Sequence, residues 1–213
     1  VARTRHRPLA SGAVSVTLAW AWLGVLCVIG LIVLFQLHWS AAIVALASIA
    51  PVAAYPFMKR ITWWPQAWLG LVFSWAALVG WADVWGTLAP AGLTLYAGCI
   101  FWVIGYDTIY ALQDREDDAL VGIGSSALAM GAHVRAGVAL CYAIAVALWG
   151  AAFWQMRADP LALAALLPAA LHLGWQVATL VPDDGDGALH RFRANRFTGL
   201  LMFLACAAVG TTL

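Results

Sequence analysis

Seven apolar runs divide the chain, over roughly residues 14–35, 41–57, 67–82, 88–105, 134–156, 160–181 and 197–213. They do not alternate with a period of two and are too long for strands, which argues against a transmembrane barrel. A helix rises about 1.5 Å per residue, so about 20 residues cross a hydrocarbon core of about 30 Å. Inside lipid every backbone N–H and C=O must find a partner within its own segment, and a helix meets that condition. The pattern predicts an all-α, multi-pass transmembrane bundle of about seven helices. There is neither an internal repeat nor a low-complexity linker, so residues 1–213 read as one membrane-embedded domain.

The polar stretches between the runs alternate in character. One set holds Arg3, Arg5, Arg7, Lys59, Arg60, Arg115, Arg135, Arg191, Arg193 and Arg196; the other set holds Arg157 alone of the eleven Lys and Arg residues. Basic loops stay on the cytoplasmic side. Seven spans then place the first residue inside and the last outside, and one span more or fewer would scramble the alternation. The expected location is the bacterial inner membrane, with the polar chemistry facing the cytoplasm. The basic face also carries most of the acid: Asp107, Asp114, Glu116, Asp117, Asp118, Asp183, Asp184 and Asp186.

Composition agrees with this picture. The chain is 64% hydrophobic and 10% charged, against about 45–50% and about 25% for a soluble domain. Its 13 Trp residues suit helices that meet lipid headgroups. A net charge of +1 gives no electrostatic reason to expect a nucleic-acid partner. Cys27, Cys99, Cys141 and Cys206 lie inside apolar runs at no metal-ligand spacing and read as small buried hydrophobes. His133, His172 and His190 likewise show no ligand-like spacing.

The stretch from Gly105 to Asp118 follows an apolar run directly, so Asp107 falls at the membrane boundary. On one continuous helix, Tyr110, Asp114 and Asp118 lie about 60° behind, 20° behind and 20° ahead of Asp107, within an arc of about 80°. Like charges stacked at helical spacing repel one another. A divalent cation offsets that repulsion, and hard oxygen ligands favour Mg²⁺ or Ca²⁺. A charge run is usually only a solvated face, but ionisable groups at membrane depth mark function. Asp107, Asp114 and Asp118 are therefore the candidate metal-binding and catalytic residues.

Basic groups share that face. Tyr55 and Lys59 stand one helical turn apart, ahead of Arg60 and the Trp63-Trp64-Pro65-Gln66 segment. Lys59 can snorkel to water or reach a phosphate. Taken alone, these groups and the Arg3-Thr4-Arg5-His6-Arg7-Pro8 stretch are topology signals; beside the carboxylates they suggest a Mg²⁺-diphosphate site.

Four segments carry a family resemblance: VARTRHRPLASG (1–12), YPFMKRITWWPQ (55–66), YDTIYALQDREDDALVGIGSS (106–126) and FRANRFTG (192–199). They resemble the UbiA family of membrane prenyltransferases, and within it the branch acting on 4-hydroxybenzoate. The resemblance implies a nine-helix fold with two Asp-rich motifs. Asp107, Tyr110, Asp114 and Asp118 match the second; the first would precede Val1, so the chain is expected to lack two helices and that motif. The implied reaction is Mg²⁺-dependent transfer of a polyprenyl group from its diphosphate to the ring of 4-hydroxybenzoate, ortho to the hydroxyl, on the route to ubiquinone. Lys59, Arg3, Arg7, Tyr55 and Tyr110 would contact the diphosphate, and Arg60 the acceptor carboxylate. The partners expected are polyprenyl diphosphate, 4-hydroxybenzoate and the lipid bilayer. Three other readings stand beside this one. A related prenyltransferase would take another acceptor. An intramembrane aspartyl protease would need a second membrane-embedded Asp beside Gly105-Tyr106-Asp107. A non-catalytic bundle would bind without turnover.

Overall fold

The computed structural model describes residues 7–210, and for Lys59, Asp117 and Val121 the backbone only. The chain runs through α1 (Val16–Leu34), α2 (Trp39–Ala47), α3 (Ile49–Ile61), α4 (Pro65–Trp85) and α5 (Pro90–Ala111). A 3₁₀ turn (Leu112–Asp114) leads into α6 (Arg115–Val121), then α7 (Ser126–Met130) and a second 3₁₀ turn (Gly131–His133). The chain closes with α8 (Val134–Met156), α9 (Pro160–Ala164), α10 (Leu167–Thr179) and α11 (Gly185–Gly210). No strand occurs among the described residues.

Seven stretches are long and apolar enough to cross a membrane: Val16–Leu34, Trp39–Met58, Pro65–Trp85, Pro90–Asp114, Ser126–Met156, Pro160–Thr179 and Gly185–Gly210. They correspond one to one with the seven apolar runs. Prolines set their local form. Pro65, Pro90 and Pro160 open α4, α5 and α9 at the first helical position, where the missing N–H costs nothing. The second span breaks at Ser48 between α2 and α3, and the sixth breaks between Ala164 and Leu167. Pro51 and Pro168 follow these breaks and cannot donate to the preceding turn, so each span bends there. The last helix starts well before its apolar run. Residues 185–196, read in sequence as loop, are helical.

The core forms around α5, which packs against α4, α8 and α11. Helices in lipid gain from close approach, and small residues allow it. A Cβ on Gly98 of α5 would stand 2.5 Å from Trp149 Cδ1 and 3.1 Å from the Ala145 carbonyl of α8. A Cβ on Gly70 of α4 would stand 2.9 Å from the Ile100 carbonyl. Trp149, Ile109 and Leu173 are fully enclosed at this centre. By contrast α1 buries none of its residues; it is apolar all round, as a lipid-facing span is.

Candidate functional site

At the acidic face, α5 ends where the sequence predicted it to continue. The helix stops at Ala111 and passes through the Leu112–Asp114 turn into α6. A continuous helix would have left the acidic run at the C-terminal, negative end of the α5 dipole. Restarting the helix places Asp114 and Glu116 at the N-terminal end of α6, where the dipole favours negative charge. The single carboxylate stripe is therefore interrupted. Asp107 is half-buried on the last turn of α5, Asp114 half-buried at the end of the 3₁₀ turn, and Asp118 buried on α6. Gly122, with φ of 70°, then turns the chain in the left-handed region that glycine tolerates.

Three of the four sequence segments singled out above converge on this end of α5. The loop before α7 lies on the loop between α3 and α4: a Cβ on Gly124 would stand 2.6 Å from the Thr62 carbonyl. The Gln66 side chain, buried at the start of α4, accepts the Ser126 backbone N–H at 2.9 Å. The hydroxyls of Ser126 and Thr108 lie 2.6 Å apart, which ties α7 to α5 one residue from Asp107. Tyr55 is half-buried on α3. On the other side Tyr110 packs against Phe192 of α11 at 4.5 Å between ring centroids. Asp107 and Tyr110 stand about one turn apart near the end of α5, and Tyr55 lies on α3, whose following loop packs at this end. Arg60 is exposed on the last turn of α3, and Arg7 is exposed in the turn ahead of α1. The Lys59 side chain and Arg3 lie outside what is described.

Carboxylate oxygens are of the type that Mg²⁺ prefers. Among the described residues no group of three or more His, Cys, Asp or Glu side chains is placed to hold a metal ion. Mg²⁺ commonly takes one or two carboxylates and completes its shell with water and phosphate, and the donor set here fits that mode.

Sequence reasoning missed a buried polar network behind the site. Gln176 of α10 is fully buried; its Oε1 accepts Tyr142 Oη at 2.9 Å and Asn195 Nδ2 at 3.0 Å. Asn195 Oδ1 accepts Trp102 Nε1 at 2.8 Å, and His172 Nδ1 lies 2.8 Å from Thr198 Oγ1. Four helices, α5, α8, α10 and α11, are joined this way. The available signal was the presence of His172 and Gln176, one turn apart, inside an apolar run.

The arginines divide into two kinds. Arg191 reaches the Thr179 hydroxyl at 3.0 Å and the Gly187 carbonyl at 2.7 Å, and also bonds the Thr179 carbonyl. Arg135 Nη2 donates to the Ala178 carbonyl at 2.9 Å. Both close the C-terminal end of α10, where cations are favoured. Arg193 and Arg196 instead border a cavity of about 300 Å³ between α5 and α11, with Trp102, Tyr106, Phe192 and Asn195.

The model of the UbiA prenyltransferase family matches residues 1–209. The chain is 38% identical to the mitochondrial 4-hydroxybenzoate polyprenyltransferase of Rattus norvegicus over 208 residues, 96% of this chain and 55% of that protein. It is 38% identical to the protein of that name from Drosophila melanogaster over 214 residues, 100% of this chain and 54% of the relative. For the Arabidopsis thaliana protein the figures are 38% over 210 residues, 95% and 50%. The chain spans about half the length of these curated relatives. No solved structure matches it.

Proposed function

The chain belongs to the UbiA prenyltransferase family, and from that premise we propose that it transfers a polyprenyl group from polyprenyl diphosphate to 4-hydroxybenzoate in ubiquinone synthesis. The observation that carries the reading is the packing of the loops that follow α3 and α6 onto the end of α5, beside Asp107 and Tyr110, where a membrane-spanning helix ends. An apolar tail can then lie along the helices while its charged head meets polar groups. We place this face on the cytoplasmic side of a bacterial inner membrane, because ten of the eleven basic residues share it.

In the reaction the bond between prenyl C1 and the diphosphate oxygen breaks, and its electron pair leaves with the diphosphate. The ring carbon ortho to the hydroxyl forms the new carbon–carbon bond, and the proton on that carbon passes to water or to an oxygen of the released diphosphate, which restores aromaticity. Mg²⁺, held by one or two of Asp107, Asp114 and Asp118 with water and phosphate completing its shell, would supply neutralising charge to the diphosphate. Tyr55 and Tyr110 donate hydrogen bonds to phosphate oxygens. Lys59, Arg7 and Arg3 add positive charge there, and Arg60 is a candidate for the acceptor carboxylate. The rings of Tyr106 and Phe192, 5.8 Å apart, offer their faces to an allylic cation.

The test is prenyl transfer in membranes containing the protein, with radiolabelled 4-hydroxybenzoate, a prenyl diphosphate and Mg²⁺. Labelled prenylated product is expected, with loss of most turnover on chelation or in Asp114→Asn. Undiminished transfer by that variant in the presence of chelator contradicts the proposal.

A further inference from the structure

We propose that Thr108, Ser126 and Gln66 are positioning residues for the metal-diphosphate site: together they close the neck of the 108–126 segment and so fix where Asp114 and Asp118 stand relative to Asp107. This rests on the prenyltransferase reading and deepens it. None of the three touches the ligand in this role. Thr108 stands about 100° round α5 from Asp107, and all three are buried.

The segment has little packing of its own. Its helix α6 has seven residues, fewer than the about 12–15 that an isolated helix needs in water. Among the described side chains of α6 only Asp118 is buried, while Glu116, Ala119 and Leu120 are exposed. Its position is therefore set from its two ends. At the first end, α5 runs into it through the Leu112–Asp114 turn. At the second, the Gly122 and Ile123 N–H groups donate to the Ala119 and Asp118 carbonyls at 3.4 and 2.9 Å, the paired bonds that close a glycine-terminated helix. The Asp118 backbone is thus tied to the residue before Gly124, which is seated against Thr62 and Trp63. Two residues further on, Ser126 meets Thr108.

The hydrogen bonds of the neck can be assigned by counting protons. Thr108 has one hydroxyl proton and donates it to the Ile104 carbonyl at 2.6 Å. Ser126 is then the donor in the 2.6 Å bond between the two hydroxyls. The Ser126 backbone N–H donates to Gln66 Oε1 at 2.9 Å, which anchors the neck to α4. Thr108 and Ser126 are 0% exposed and Gln66 3%, and hydrogen bonds are firmer where water is excluded. The neck joins residues 18 apart in sequence, and Asp114 and Asp118 both lie inside that loop. An open neck lowers the fraction of protein ready to bind metal diphosphate, and the apparent affinity falls with that fraction.

The test reads Mn²⁺ binding to the full chain by loss of its free electron paramagnetic resonance signal, with and without a non-hydrolysable prenyl thiodiphosphate. Amide hydrogen exchange over residues 112–124 is followed alongside. Ser126→Ala leaves Thr108 bonded to Ile104 and orphans no donor. It is expected to weaken Mn²⁺ in the presence of the analogue about three- to tenfold and to speed exchange in 112–124 but not in α8. Gln66→Met and Thr108→Val should do the same, and Thr108→Ser, which keeps the hydroxyl, should bind as the wild type does. A role in stability alone would lower the unfolding midpoint and leave the affinity of the folded protein unchanged. Wild-type affinity or unchanged exchange in Ser126→Ala and Gln66→Met, or equal losses in Thr108→Ser and Thr108→Val, overturns the assignment while the prenyltransferase reading stands. If one of Ser126→Ala and Gln66→Met fails to fold, the other decides. If the analogue brings no gain in Mn²⁺ affinity to the wild type, both fall.

Discussion

Replacing Gln176 with Leu keeps the side-chain volume close to native and removes its hydrogen bonds. Gln176 Oε1 accepts the hydrogen bond from Tyr142 Oη at 2.9 Å, on a tyrosine 3% exposed. Asn195 Nδ2 loses one partner but keeps the Arg191 carbonyl at 3.0 Å. The variant therefore orphans one buried hydroxyl and weakens one amide. A buried donor left without a partner costs about 1–3 kcal/mol, while polar pairs inside membrane proteins average about 0.6 kcal/mol. The expected destabilisation is about 2 kcal/mol, or about thirtyfold in the unfolding equilibrium. Tyr142→Phe removes the donor and leaves Gln176 bonded to Asn195, so about 0.6 kcal/mol is expected. In the double variant no hydroxyl is orphaned, so the combined loss should fall short of the sum by about 1 kcal/mol. Reversible unfolding in mixed micelles measures all four forms. Additive losses, or a neutral Gln176→Leu, refute the reasoning that the network fixes α11 against α8 and α10.

Gly98→Ala puts a methyl group against Trp149 and the Ala145 carbonyl, and overpacking of this kind is expected to cost about 1–3 kcal/mol. The same unfolding assay should find Gly174→Ala neutral or slightly stabilising, because nothing lies within 4 Å of the added Cβ. On the opposite face, Asp159 caps α9: its Oδ1 accepts the Leu161 N–H at 2.9 Å and its Oδ2 pairs with Arg157 at 2.7 Å. The Leu161 N–H, and then Arg157, hold its carboxyl below the usual value. A depressed carboxylate stabilises fully above its unfolded-state value, and that contribution is lost as pH falls through the folded one. Asp159→Asn should therefore flatten this acid-limb loss in a pH series of melting temperatures; an unchanged pH profile contradicts the capping role.

Lipid imposes so simple a demand on length and polarity that the seven long apolar helices were legible from the chain. The finer shape of the spans was not. Pro51 and Pro168 encode the bends before them, but an apolar run hides a break of one or two residues as readily as it shows a helix. The start of α11 was misread because Asp186, Arg191, Arg193 and Arg196 are polar. With 26 residues the helix is about 39 Å long, more than a hydrocarbon core needs, so its first turns project into the polar region. Asp107 could be recognised as an ionisable group at the membrane boundary. The arrangement of Asp114 and Asp118 could not, because the 100° rule assumes a helix that Leu112–Asp114 interrupts. The Tyr142–Gln176–Asn195 network and the Arg193–Arg196 cavity draw on separate helices, and periodicity within one helix does not say which faces meet.

The most direct measurement is the affinity for Mn²⁺, used in place of Mg²⁺ and read by the loss of its free electron paramagnetic resonance signal. It is made with and without a non-hydrolysable prenyl thiodiphosphate, on wild-type protein and on Asp107→Asn/Asp114→Asn. The wild type should bind the ion at least about tenfold more tightly with the analogue present, since phosphate oxygens complete the shell, and the double variant should lose that gain. An affinity that ignores the analogue, or one that survives removal of both carboxylates, contradicts a diphosphate site at the end of α5.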